Sequence, residues 1–139
     1  MKGKTVDQIK VGDVETFART VTESDVYLFG GLTGDLNPAH TNQEAPEKTM
    51  FKGRIAHGML TASYVSTILG MYLPGPGTIF LSQETKFLKP VHFGDTITAK
   101  IVCTDVNVEK NIVSFDSECV NQDGVKVLVG KAVVMPPRA

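Results

Sequence analysis

Residues 54–73 read RIAHGMLTASYVSTILGMYL, and after Arg54 no Asp, Glu, Lys or Arg occurs until Glu84. The run from Gly58 to Leu73 predicts one helix. Met59, Leu60, Ala62, Val65, Ile68, Leu69, Tyr72 and Leu73 make it apolar or small almost all the way round. A helix without a charged face is expected to be buried. It is too short and too rich in Ser and Thr for a membrane span, which needs roughly 20 mainly apolar residues. Leu73-Pro74-Gly75-Pro76-Gly77 stops it abruptly. The expectation is a helix inside a domain, with the rest of the chain wrapped around it.

After the helix the hydrophobic period becomes two. Thr78–Leu88 reads as a strand, interrupted by Lys89-Pro90-Val91 and a turn at Phe93-Gly94-Asp95. Over Thr96–Val106, Ile97, Ala99, Ile101 and Cys103 alternate with Thr98, Lys100 and Thr104. Beyond a turn at Glu109-Lys110-Asn111, Val113, Phe115 and Cys119 alternate with Ser114, Asp116 and Glu118. Asn121-Gln122-Asp123-Gly124 is a hairpin-type loop, and Val125–Met135 is the closing strand.

Before the helix, Val14–Val21 has the β-branched content of a strand. Thr22-Glu23-Ser24-Asp25 is a helix start, with a Thr cap and an acid three residues on. The helix Glu23–Leu32 is expected to bury Val26 and Phe29, with Tyr27 beside them. Gly30-Gly31 weakens it and Gly34 ends it. Gly34–His40 is turn-rich, with Pro38 fixing its own φ, and Gln43–Met50 is read as a short helix. The sum is a single α+β domain over 1–139, an antiparallel sheet curled round one buried helix.

Composition narrows the function. Fourteen basic and 15 acidic residues give a net charge of −1, so no bulk charge argues for nucleic acid or an anionic membrane. The N-terminal run MKGKTVDQIKVGD has no apolar core of signal-peptide type, and the cytoplasm is the default expectation. Cys103 and Cys119 fall in strand-like segments and are expected to be buried free thiols. Nothing surrounds them with metal-ligand spacing.

The chemistry is expected from Asp35 and His40, the carboxylate and imidazole of a turn that leads towards the buried helix. Such a pair suits proton transfer near neutral pH, since His titrates near 6.5 and a desolvated Asp rises towards it. Asn37 and Pro38 would fix their relation. On spacing alone, the same residues also fit an Asx turn followed by a surface His. At the helix start, unpaired N–H groups suit a carbonyl or oxyanion. Gly58 would let a ligand approach that backbone, or would serve only tight packing. His57 is read as structural and His92 as solvated. Lys52, Arg54 and Lys86 are read as solvated charges, any one of which could meet a phosphate. Tyr64 and Tyr72 are read as core or interface residues.

Taken together, Asp35-Leu36-Asn37-Pro38-Ala39-His40, Arg54-Ile55-Ala56-His57-Gly58-Met59-Leu60 and Lys89-Pro90-Val91 with Gly94-Asp95 resemble the MaoC-like (R)-specific enoyl-CoA hydratases over nearly the whole chain. One departure is Asn42, where many relatives place an acid. The resemblance implies the hot-dog fold, usually paired as a homodimer. It implies hydration of trans-2-enoyl-CoA to (R)-3-hydroxyacyl-CoA, with Asp35 and His40 as the catalytic pair. Either could take the proton from water. Gly58 N–H would hold the thioester oxygen, and Asn37 would help place the water or the loop. No metal or redox cofactor is implied, since coenzyme A arrives with the substrate.

The acyl tail is expected along the helix face of Met59, Ala62, Ser66 and Leu69, which follow 3-4-3 spacing. A Leu at 69 fills volume that a longer tail would need, which favours enoyl groups of about four to six carbons at ~0.8 kcal/mol per buried CH₂. The rivals are a hot-dog thioesterase, an acyl-carrier-protein dehydratase and a non-catalytic acyl-CoA-binding module. The acid–base loop counts against all of them.

Overall fold

The alternation along the second half of the chain becomes a sheet with one dry face. The computed structural model describes residues 2–44 and 52–139. After a 3-10 turn at Val6–Gln8, it contains β1 (Val14–Thr20), α1 (Glu23–Thr33), α2 (Pro38–Thr41), α3 (Gly58–Met71), β2 (Ile79–Phe87), β3 (Thr96–Asn107), β4 (Ile112–Val120) and β5 (Lys126–Met135). The helix expected over Gln43–Met50 lies, from residue 45 on, outside the described residues.

The strands form one antiparallel sheet in the order β1-β3-β4-β5-β2. Ile97, Ala99, Ile101 and Cys103 face inward, opposite Val113, Phe115 and Cys119. Register shifts near Phe80, Cys103 and Cys119 bend the ladder, as bulges do. The curled sheet receives α3, which packs on β1, β2, β3 and β5. Ala62, Val65, Ile68 and Leu69 are buried against it, and each such apolar side chain stabilises the fold by about 1.5–3 kcal/mol, Ala62 by less.

Two expectations change. The helix α3 is wrapped on one side only. Met59, Met71 and Tyr72 stay more than half exposed, because five strands curl without closing. In α1, Val26 and Gly30 are the buried residues, while Tyr27 is exposed and Phe29 half-buried. The remaining local rules hold. Thr22 caps α1 with Asp25 in reciprocal bonds, and Gly34 ends it in the left-handed region at φ 81°.

Candidate active site

The Asp35–His40 turn is built from local hydrogen bonds. Asp35 Oδ1 accepts from the Asn37 N–H at 3.2 Å, and Asn37 Oδ1 accepts from the Ala39 N–H at 3.0 Å. Asn37 thereby caps α2, with Pro38 at its first position. Thr41 Oγ1 donates back to the carbonyls of Leu36 and Asn37. Asn37 therefore shapes the loop through its side chain and its carbonyl.

Three bonds pin this turn to the segment before α3. Ile55 N–H donates to Ala39 O at 3.1 Å, His40 Nδ1 donates to Ile55 O at 2.7 Å, and His57 Nε2 donates to Asp35 O at 2.7 Å. The same segment is held from the other side, where Ala56 N–H donates to Val91 O at 2.7 Å and Ile55 bridges to His92. This explains why Lys89-Pro90-Val91 belongs with the other two motifs although it lies far along the chain. His92 is half-buried in that bridge rather than solvated.

A carboxylate oxygen of Asp35 and ring nitrogens of His40 and His57 lie within 4.8 Å of one another. The Asp35 side is exposed, His40 is half-buried, and His57 is 3% exposed. The two imidazoles stack at 3.9 Å with an angle of 29° between planes. Since a carbonyl only accepts, His40 carries a proton on Nδ1, and in the neutral ring Nε2 is then the acceptor.

Gly58 opens α3, and its N–H has no partner among the described residues. It is exposed and sits in a groove of about 640 Å³ with Met59, Thr61, Phe87, Pro90 and Val91. Asp35 and His40 do not line this groove. Ile55, whose carbonyl holds His40, and Gly58 do. A Cβ on Gly58 would lie 2.8 Å from Cδ1 and Cε1 of Phe87, so both readings of this glycine, access and close packing, have a physical basis here.

The four residues proposed from helical spacing are split. Met59 is 56% exposed and lines the groove, and Ser66 is exposed. Ala62 and Leu69 are buried, Leu69 at 1% exposure among Val65 and Ile68.

The spare charges also find places. Arg54 does not stand free. It donates to Glu23 Oε1 at 2.7 Å, to Tyr27 Oη at 3.2 Å and to Gln43 Oε1 at 2.9 Å, with its guanidinium 4.9 Å above the Phe93 ring. It ties α1 to the segment leading into α3. Lys86 lines a hollow with Lys100, Lys126 and Lys131, interleaved with Glu84, Asp116 and Glu118. Tyr64 is core and meets Phe17 in a tilted ring contact, whereas Tyr72 is exposed.

Sequence reasoning missed Phe87 and Gly30. Phe87 reaches Gly58 from β2. A Cβ on Gly30 would lie 3.0 Å from Leu36 Cδ2 and 3.1 Å from Asp35 O, so this glycine lets the turn close on α1. A small residue on the inward face of an otherwise apolar helix was the available signal.

This geometry stands beside a family match. The MaoC like domain model covers residues 8–123. The chain belongs to the MaoC-like family. An (R)-specific enoyl-CoA hydratase of Rhodospirillum rubrum is 47% identical over 131 residues, which cover 94% of this chain and 90% of that protein. A 3-hydroxybutyryl-CoA dehydratase of Methylorubrum extorquens is 36% identical, covering 95% of this chain and 83% of the relative. The unliganded R-hydratase of Pseudomonas aeruginosa superposes with a TM-score of 0.92 at 34% identity, covering 99% of this chain and 88% of that one. The MaoC-like chain therefore has the hot-dog fold, with its sheet curled and open. Among its described residues no helix is long and apolar enough to cross a membrane.

Proposed function

We propose that this MaoC-like protein is an (R)-specific enoyl-CoA hydratase acting on trans-2-enoyl-CoA. The observation that carries the reading is the bond from His40 Nδ1 to Ile55 O. It fixes a tautomer whose Nε2 is a base, beside the Asp35 carboxylate and one short segment from the free Gly58 N–H. In the scheme we favour, Asp35 and His40 hold a water at C3. His40 Nε2 takes its proton, the oxygen bonds to C3, and the π electrons move to the thioester oxygen, where Gly58 N–H stabilises them. The proton then passes to C2, and the dehydration runs the same steps backwards. No metal or redox group enters the scheme. Met59, Ala62, Ser66 and Leu69 are the proposed walls for the acyl chain.

A homodimer in the cytoplasm is the proposed setting. Strand β2 is an edge of the sheet, and Ile79, Phe80 and Leu81 on it are exposed together with Met71 and Tyr72 of α3. An apolar edge of this kind favours pairing with a second copy.

The test is loss of enoyl-thioester absorbance with crotonyl-CoA, with free thiol measured in parallel. Hydration without thiol release supports the hydratase. Thiol release would point to a thioesterase, and neither signal to a binding module. Replacing crotonyl-CoA by the acyl-carrier-protein thioester decides the carrier. Asp35→Ala and His40→Ala should each slow hydration by roughly 10²–10⁴ with little change in melting, and a near-active variant would remove that residue from the pair.

A further inference from the structure

We propose that His57 is the positioning residue of the acid–base pair, holding Asp35 by a hydrogen bond and His40 by its ring face. The proposal rests on the hydratase reading of Asp35 and His40. The His57 ring is almost wholly enclosed, and its Nε2 donates to the Asp35 carbonyl at 2.7 Å. The proton is therefore on Nε2. A neutral imidazole has no second N–H, and Nδ1 is indeed buried without a partner among the described residues.

Charging this ring would place a second N–H donor in the interior with nothing to accept it, which is costly. The ring's neighbours from α1 are Phe29, tilted at 5.0 Å, and Gly30, whose missing side chain leaves room for Asp35 O and His57 Cε1. Asp35 and His40 are the titratable groups beside it. Stacked at 3.9 Å, a neutral imidazole offers a π face to His40. That contact becomes more favourable when His40 carries the proton taken from water, whereas a charged neighbour would repel it. One side chain thus fixes the backbone of the acid and the plane of the base.

Two variants separate the contacts. His57→Phe keeps a flat ring and removes the donor, and His57→Gln keeps an N–H donor and removes the ring. Each should lower kcat on crotonyl-CoA by roughly 10- to 100-fold, the range for partners that orient a reacting group, with KM within about 3-fold of wild type. Added to His40→Ala, His57→Phe should cost almost nothing more, since it acts through His40 and Asp35. Ring ¹⁵N spectra of the wild type at neutral pH should show His57 protonated on Nε2 and bare on Nδ1. Wild-type kcat in both variants, a loss confined to KM, a full additional loss on the His40→Ala background, or a doubly protonated His57 would each overturn the proposal. If the wild type hydrates nothing, the hydratase reading fails, while the spectra still decide whether His57 is neutral and aimed at Asp35. If His57→Phe does not fold, His57→Gln and the spectra carry the test.

Discussion

Gly58→Ala puts the oxyanion placement under the sharpest strain. The added Cβ would lie 2.8 Å from two carbons of the Phe87 ring, where ordinary contact is about 3.5–4.0 Å. Something must open by roughly 0.7–1.2 Å. Phe87 is 51% exposed, so its ring can swing outward, and the strain falls at or below the ~1–3 kcal/mol of an overpacked core. Alanine returns up to about 1 kcal/mol of helix propensity, so net stability should move by no more than about 2 kcal/mol. Turnover should respond more strongly. The methyl group stands where the thioester would approach the N–H, and one lost oxyanion donor costs roughly 10²–10³ in kcat. The assay compares crotonyl-CoA hydration and melting for Gly58→Ala, Phe87→Ala and the double variant. We expect the double variant to recover stability but not rate. A rate that returns with the Phe87 truncation, or a fully active Gly58→Ala enzyme, would refute the reasoning and leave Gly58 as a packing residue.

Leu69→Ala should cost about 2–5 kcal/mol as a core truncation and raise activity on an eight-carbon enoyl-CoA relative to a four-carbon one; an unchanged ratio would leave Leu69 as core alone. Arg19 holds the Asp25 carboxyl below its usual pKa through paired bonds at 2.7 and 3.0 Å. Its stabilisation is therefore present above the unfolded value near 3.9 and lost as pH falls through the lower folded value. Asp25→Asn should lower the urea midpoint at pH 7, and the gap to wild type should narrow below about pH 4; an equal gap at pH 3 would contradict the pairing. Light scattering should give a mass twice that of the 15.0 kDa chain, and a stable monomer at micromolar concentration would argue against pairing along β2.

The sequence readings that held were those with a local physical cause. The uncharged run after Arg54, the period-two segments from Thr96 and the Thr22 cap each depend on neighbours within a turn or a strand. That Asp35 and His40 lie close together was legible because Asn37 and Pro38 shape the turn between them. The placement of His57 against them was not legible. It depends on a stack between rings sixteen residues apart in the sequence, and no periodicity reports that. Arg54 was open to a phosphate-binding reading because its partners, Glu23 and Tyr27, come from α1. Phe87 lies on β2, and only the curl of the sheet brings it to Gly58. The helix α3 looked enclosed because composition reports burial without saying whether the covering surface belongs to the same chain.

The pairing of β1 with β3 sets Val14 opposite Val102, and every residue assigned a part in the reaction lies on the chain between them. Strands β3, β4 and β5 are joined by short turns, so their hairpins close over little chain. The β1 contact must close a far longer loop, at an entropic cost that grows with its length, and non-local pairings of this kind form slowly. The meander is thus the natural early structure, and β1 is the clasp fastened across it. The reacting groups reach one another inside the span that this clasp encloses. On this argument catalytic competence is expected late in folding, once the long β1 loop has closed.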